Sequence, residues 1–111
     1  MKGTYLGEFE ELVLLTVAML KGKAYGVLLT EELEKQAERK FSLSSVHTAL
    51  YRLEKKGFVR AEMSEATHRR GGRRKKLYQI TAAGKAALVS SRDLRNRLWD
   101  LIPDFKFWAL N

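Results

Sequence analysis

Apolar residues first recur at helical spacing between Leu6 and Leu20. In "LGEFEELVLLTVAML", Phe9, Leu12, Val13, Thr16, Val17 and Leu20 fall on one face of a helix with 3.6 residues per turn. Glu8, Glu10 and Glu11 stand where the positive end of the helix dipole favours them. From Leu12 onward, Leu15, Ala18 and Met19 make the second face apolar too. A helix that is apolar all round must be covered all round. A 111-residue chain has little else to cover it with, so a second copy of the chain is expected. "KGK" ends this helix. A second is predicted from about Tyr25 to Arg39, with Tyr25, Leu29, Leu33 and Ala37 inward and Glu31, Glu32, Glu34 and Glu38 outward.

The next segment, "FSLSSVHTALYRLEKKG", has the sharpest division between faces. Ser42 is placed to cap its N-terminus. Val46, Ala49, Leu50 and Leu53 form a stripe at i, i+3, i+4 and i+7, and Gly57 stands where a helix ends with positive φ. The opposite face carries Ser44, Ser45, Thr48, Tyr51, Arg52 and Lys55, with His47 on its shoulder. "FVRAEMSE" and "KKLYQIT" then alternate as half-buried strands do, with Tyr78 and Ile80 on one side. Between them "ATHRRGGRR" is too long for a tight turn and reads as the tip of a hairpin. Thr81 caps a last helix, which Pro103 stops. Along it Gly84, Ala87, Ser91, Leu94, Leu98 and Leu101 lie at spacings 3, 4, 3, 4, 3, which is a dimer seam.

The predicted class is therefore mainly α with a small β-hairpin, a winged helix-turn-helix followed by a C-terminal dimerisation helix. The winged helix occupies residues 1–81. Residues 82–111, the dimer helix and tail, join it in one compact unit. The tail "DFKFWALN" holds Phe105, Phe107 and Trp108, which are expected to pack back onto the dimer.

Charge turns this outline toward function. The chain has 21 Lys and Arg against 13 Asp and Glu, a net charge of +8. From Ala66 to Arg92 there are eight bases and no acid, so the rest of the chain is neutral. Six of the eight, Arg69, Arg70, Arg73, Arg74, Lys75 and Lys76, surround Gly71 and Gly72 at the hairpin tip. One basic stripe on a neutral body is the footprint of a polyanion-binding site. The polar face of the third helix adds donors suited to phosphates and to base edges in a major groove. Arg52 is the residue there best suited to a bidentate guanine contact, or to a phosphate. The two glycines let the tip backbone bend and approach closely, and arginine reads a narrow minor groove. Double-stranded DNA is the expected partner. The alternative is a winged-helix interaction module whose basic face docks an acidic protein or RNA.

Other functions find little in the chain. No uncharged apolar run approaches the roughly 18 residues of a membrane helix, and the acidic N-terminal segment is unlike a secretory signal. Zero Cys rules out disulfides and thiolate metal sites, and two His make a metal site improbable. No nucleophile–base pair, phosphate loop or paired carboxylates emerge. The expectation is a cytoplasmic protein with no cofactor and no catalysis.

The segments "LGEFEELVLLTVAML", "AYGV", "SLSSVHTALYRLEKKGFV", "RRGGRRKKLYQITAAGKAAL" and "RLW" resemble the PadR family of bacterial transcriptional regulators. The likeness runs from about Leu6 to Trp99. It is most specific in the L-x-R-L-E-x-x-G block at Leu50–Gly57 and the G-R-R-K-K-x-Y-x-I-T-x-x-G block at Gly72–Gly84. It implies a homodimer joined through the last helix and a repressor, often relieved by a small molecule. Trp99, on the dimer helix, is the candidate to stack on a small aromatic effector or to pack in the core. The chain departs from the family pattern in two places. His47 stands where the family usually has Tyr, an exchange expected to make DNA binding depend on pH. Leu77–Tyr78 stands where the family often has two adjacent aromatics.

Overall fold

The computed structural model describes residues 5–64 and 74–103. The tip residues Arg69, Arg70, Gly71, Gly72 and Arg73, and the aromatic tail from Asp104 onward, lie outside the described residues. Three helices come first: α1 at Glu8–Met19, α2 at Gly26–Ala37 and α3 at Leu43–Lys55. The strands β1, Val59–Met63, and β2, Lys76–Ile80, follow, and α4 at Ala82–Asp100 completes the order. This is the mainly helical winged helix expected from the apolar pattern.

The core gathers one stripe from each element. Val13, Leu14 and Val17 of α1 meet Leu29 and Leu33 of α2 and Val46, Ala49, Leu50 and Leu53 of α3. Phe58, Val59 and Tyr78 close it from the hairpin side. Two hydroxyls enter this interior and are satisfied locally: Thr16 donates to the Leu12 carbonyl and Thr30 to that of Gly26, each one turn back. Ala37 does not join the core. It is exposed in the last turn of α2, where the chain leaves through Glu38 in the left-handed region (φ +57°) and turns toward α3.

Capping follows the sequence signals. Ser42 Oγ accepts from the Ser45 amide at 3.1 Å and starts α3. Gly57, at φ +79°, ends it just beyond the cap residue Lys56. The antiparallel hairpin pairs Val59 with Ile80, Ala61 with Tyr78 and Met63 with Lys76. One bridge is added that the alternation did not reveal: the Tyr78 amide donates to the Ala24 carbonyl at 2.8 Å, so the α1–α2 connection lies alongside β2.

Helix α4 crosses α1. Its first turns pack on the body of the same chain: Gly84 is buried, and Ala87 and Leu88 lean on the core. Gly84 is therefore a docking residue rather than part of an open seam. A Cβ there would overlap the Phe58 carbonyl oxygen and Ile80. Thr81 binds this joint from the other side, donating its hydroxyl to the Gly57 carbonyl at 2.6 Å and its amide to that of Phe58 at 3.0 Å. Beyond Ser91 the helix runs out over solvent. Among the described residues no helix is long and apolar enough to cross a membrane.

Candidate nucleic-acid interface

The face of α3 opposite the core is built by helical periodicity alone. At ~100° per residue its seven candidate side chains sweep about 160° of the helix surface. Tyr51, Ser44, Lys55 and Thr48 lie near the middle, His47 at one edge, and Arg52 and Ser45 at the other. All seven are exposed. The Lys55 ammonium sits over the Tyr51 ring at 5.3 Å, and Thr48 folds its hydroxyl onto the Ser44 carbonyl at 3.0 Å. Ser42, Ser44 and Ser45 share their hydroxyls at the N-terminal end.

The two edges meet different neighbours. On the Arg52 edge, Arg52 and Ser45 share a shallow cleft of about 360 Å³ with Gly7, the residue before α1, and with Phe9 and Glu10 of that helix. On the His47 edge the imidazole lies directly against Gly26, where any Cβ would collide with the ring. Glycine at the first position of α2 thus leaves room for the side chain that differs from the family pattern.

The root of the wing adjoins this second edge. Ser64 and Lys75 pair across the hairpin, and Arg74 Nε donates to the Ser64 carbonyl at 2.9 Å. The Lys75 ammonium stands 4.2 Å from the centre of the Tyr25 ring, a cation–π contact at the start of α2. Tyr25 was expected inward as a core residue; it is instead half-buried at the helix cap and holds a wing lysine. Tyr25 and Gly26 are the residues of this surface that pattern reading missed. Their only sequence signal is the "AYGV" segment, whose spacing says nothing about the wing.

Lys76 has a different environment from the other wing cations. Strand alternation puts it on the same side of β2 as Tyr78, and its ammonium pairs with Glu54 of α3 at 3.3 Å. The hydrogen bond to Glu54 raises the Lys76 pKa above the ordinary lysine value, helped by Tyr78. The acid on α3 is thus matched by a base on the wing, and the two elements are tied together.

The second candidate surface is the far part of α4. Leu94, Leu98 and Leu101 of the predicted seam are exposed, Leu101 to 71 %. Ala87 and Ser91 are not: Ala87 packs against the chain's own core, and Ser91 donates to Glu11 of α1 at 2.6 Å. Trp99 lies outside the core of the single chain, with about half its surface open. It lines a groove of about 680 Å³ together with Leu15, Leu88, Val89 and Arg95. Leu15 and Met19 of α1 remain about half exposed, as the all-round apolar pattern of that helix anticipated.

Fold and surface together define a winged helix-turn-helix protein with an extended final helix. The chain belongs to the transcriptional regulator PadR-like family, whose model matches residues 14–90. It is similar to the crystal structure of a PadR-family transcriptional regulator from Eggerthella lenta, at 25% identity and a TM-score of 0.66, over 80% of this chain and 75% of that one. A transcriptional regulator from Clostridium thermocellum shares the fold at 19% identity and a TM-score of 0.68, over 86% of this chain and 87% of that one. So does Bacillus subtilis PadR, solved in complex with operator DNA, at 20% identity and a TM-score of 0.62; the match covers 75% of this chain and 45% of PadR. No curated protein sequence matches the chain.

Proposed function

We propose that this chain is a sequence-specific, DNA-binding repressor that acts in the cytoplasm as a homodimer. The observation that carries the reading is the exposed face of α3, seven hydroxyl, aromatic, imidazole and cationic side chains opposite a fully apolar back. Family membership and the operator-bound state of Bacillus subtilis PadR support it. In this reading Ser44, Ser45, His47, Thr48, Tyr51, Arg52 and Lys55 enter a major groove. Arg69, Arg70, Arg73, Arg74 and Lys75 follow the backbone or a minor groove beside it, Gly71 and Gly72 letting the tip approach, and Lys76 braces the wing against α3.

The exposed stretch of α4 supplies the dimer contact through Leu94, Leu98 and Leu101, with Leu15 and Met19 of α1 beside it. Residues 1–81 and 82–111 then act as one unit rather than as separable domains. Two recognition helices would meet successive major grooves about 34 Å apart. The groove beside Trp99 has the size and mixed lining of a small-molecule site, and we assign it to a planar aromatic effector that relieves repression. No cofactor and no catalytic step enter this reading.

Selection of bound duplexes from random DNA tests it. A roughly palindromic motif should emerge, and the purified chain should retain that duplex over duplex RNA and over an acidic protein. Preferential retention of either competitor would replace the DNA reading with the interaction-module one.

A further inference from the structure

Ser91 and Arg95, one turn apart on α4, grip a single carboxylate of α1. Ser91 Oγ donates to Glu11 Oε2 at 2.6 Å, and Arg95 Nη2 donates to Glu11 Oε1 at 2.8 Å. The Glu11 side chain is 13% exposed and that of Arg95 56%, so an enclosed carboxylate is held by charge-assisted bonds from a half-buried Ser91 and from an arginine that stays open to solvent. Each carboxylate oxygen is taken by a different residue of α4. That arrangement opposes both rolling of the helix about its axis and sliding along it.

A second attachment lies at the start of α4, where Gly84 rests on the Phe58 carbonyl and Thr81 bonds the end of α3. Gly84 and Arg95 are separated by about 16 Å of helix at 1.5 Å per residue. A rod held at one point swings; held at two points so far apart, its direction is set. The exposed apolar residues Leu94, Leu98 and Leu101 lie beside and beyond this second attachment.

We propose that Glu11, held by Ser91 and Arg95, is a positioning residue that sets the angle between α4 and α3 and thereby the half-site spacing that the dimer accepts. This rests on the reading of the chain as a DNA-binding homodimer. The magnitudes make the angle matter. Recognition helices about 34 Å apart stand about 17 Å from the dyad. A swing of about 10° then moves each by about 3 Å, close to the ~3.4 Å of one base-pair step.

The test uses the full chain and the duplex motif found by selection, rebuilt with its half-sites moved closer or apart by one and two base pairs, plus a duplex with a single half-site. The unaltered protein should favour one spacing by about tenfold or more, the size of one mismatched base pair. Glu11→Ala and Glu11→Gln should reduce that preference to about threefold or less, with affinity for the single half-site unchanged. Arg95→Lys, which keeps the charge, should retain most of it. A Ser91→Ala, Arg95→Met double variant repeats the measurement with α1 untouched, should the Glu11 variants not fold. Variants that keep the original spacing profile would overturn the proposal. So would an equal loss on every duplex, the single half-site included, because that is what general destabilisation does. If the unaltered protein binds no duplex, the DNA reading falls and takes this one with it. An unchanged profile alongside tight binding overturns the clamp alone.

Discussion

Helices α3 and α4 are both amphipathic in sequence, yet only α3 is complete in a single chain. Helix α3 buries Val46, Ala49, Leu50 and Leu53 and turns every one of its polar candidates to solvent. Helix α4 is six residues longer but buries only Gly84, and leaves Val89, Leu94, Leu98, Trp99 and Leu101 about half exposed or more. An exposed polar face on a helix with an apolar back needs no partner to be stable. A run of exposed Leu and Trp does, because water is a poor neighbour for it. In the proposed reading one helix presents a surface for DNA, and the other presents half of a dimer core.

The largest expected effect breaks the α4 side of this contrast. Leu98→Asp should shift the monomer–dimer equilibrium by about 3–5 kcal/mol, the penalty of an uncompensated buried charge, while leaving the winged helix folded. Sedimentation velocity at micromolar concentration reads it, and a dimer that persists would remove Leu98 from the seam. Next comes the α3 side. Leu53→Ala should lower the unfolding free energy by about 2–5 kcal/mol, since Leu53 is fully enclosed and its loss leaves a cavity. Urea denaturation measures it; a cost below that of an exposed substitution would mean that α3 is not docked as described.

Arg52→Ala sharpens the contrast at the polar face. It should weaken binding by about 1–3 kcal/mol and relax preference at one base position, with no effect on stability. Equal losses on the selected duplex and on random DNA would make Arg52 a phosphate contact. The smallest effect belongs to Ser42→Ala, which removes the cap accepting the Ser45 amide and should destabilise the chain by about 1 kcal/mol. A thermal melt unchanged to within experimental error would show that Ser44 and Ser45 replace the cap.

The legible parts of this protein are those governed by local periodicity. The stripe and polar face of α3, its caps at Ser42 and Gly57, and the antiparallel pairing of β1 with β2 follow from spacings of 3.6 and 2. These patterns survive whatever the rest of the chain does. What misled were positions whose fate depends on a distant segment. Ala37 has the right spacing for the core, but the helix ends beside it and the chain turns away. Gly84, Ala87 and Ser91 share the seam's spacing with Leu94 and Leu98. They face the body of the same chain instead: Gly84 lies on Phe58 and Ile80, Ala87 leans on the core, and Ser91 bonds Glu11 of α1. Tyr25 looks like a core aromatic until the wing brings Lys75 over its ring.

The sequence by itself determined which residues could line each face, and that all the net charge lies in one stretch of 27 residues. Both are properties of spacing and composition, which folding does not change. The tertiary structure alone decided which cations are already engaged, with Lys76 on Glu54 and Lys75 over Tyr25. It also decided that one carboxylate, Glu11, joins α1 to α4 across 80 residues of chain. Pairings of this kind depend on distances in space, and a charge has no periodicity from which its partner can be read.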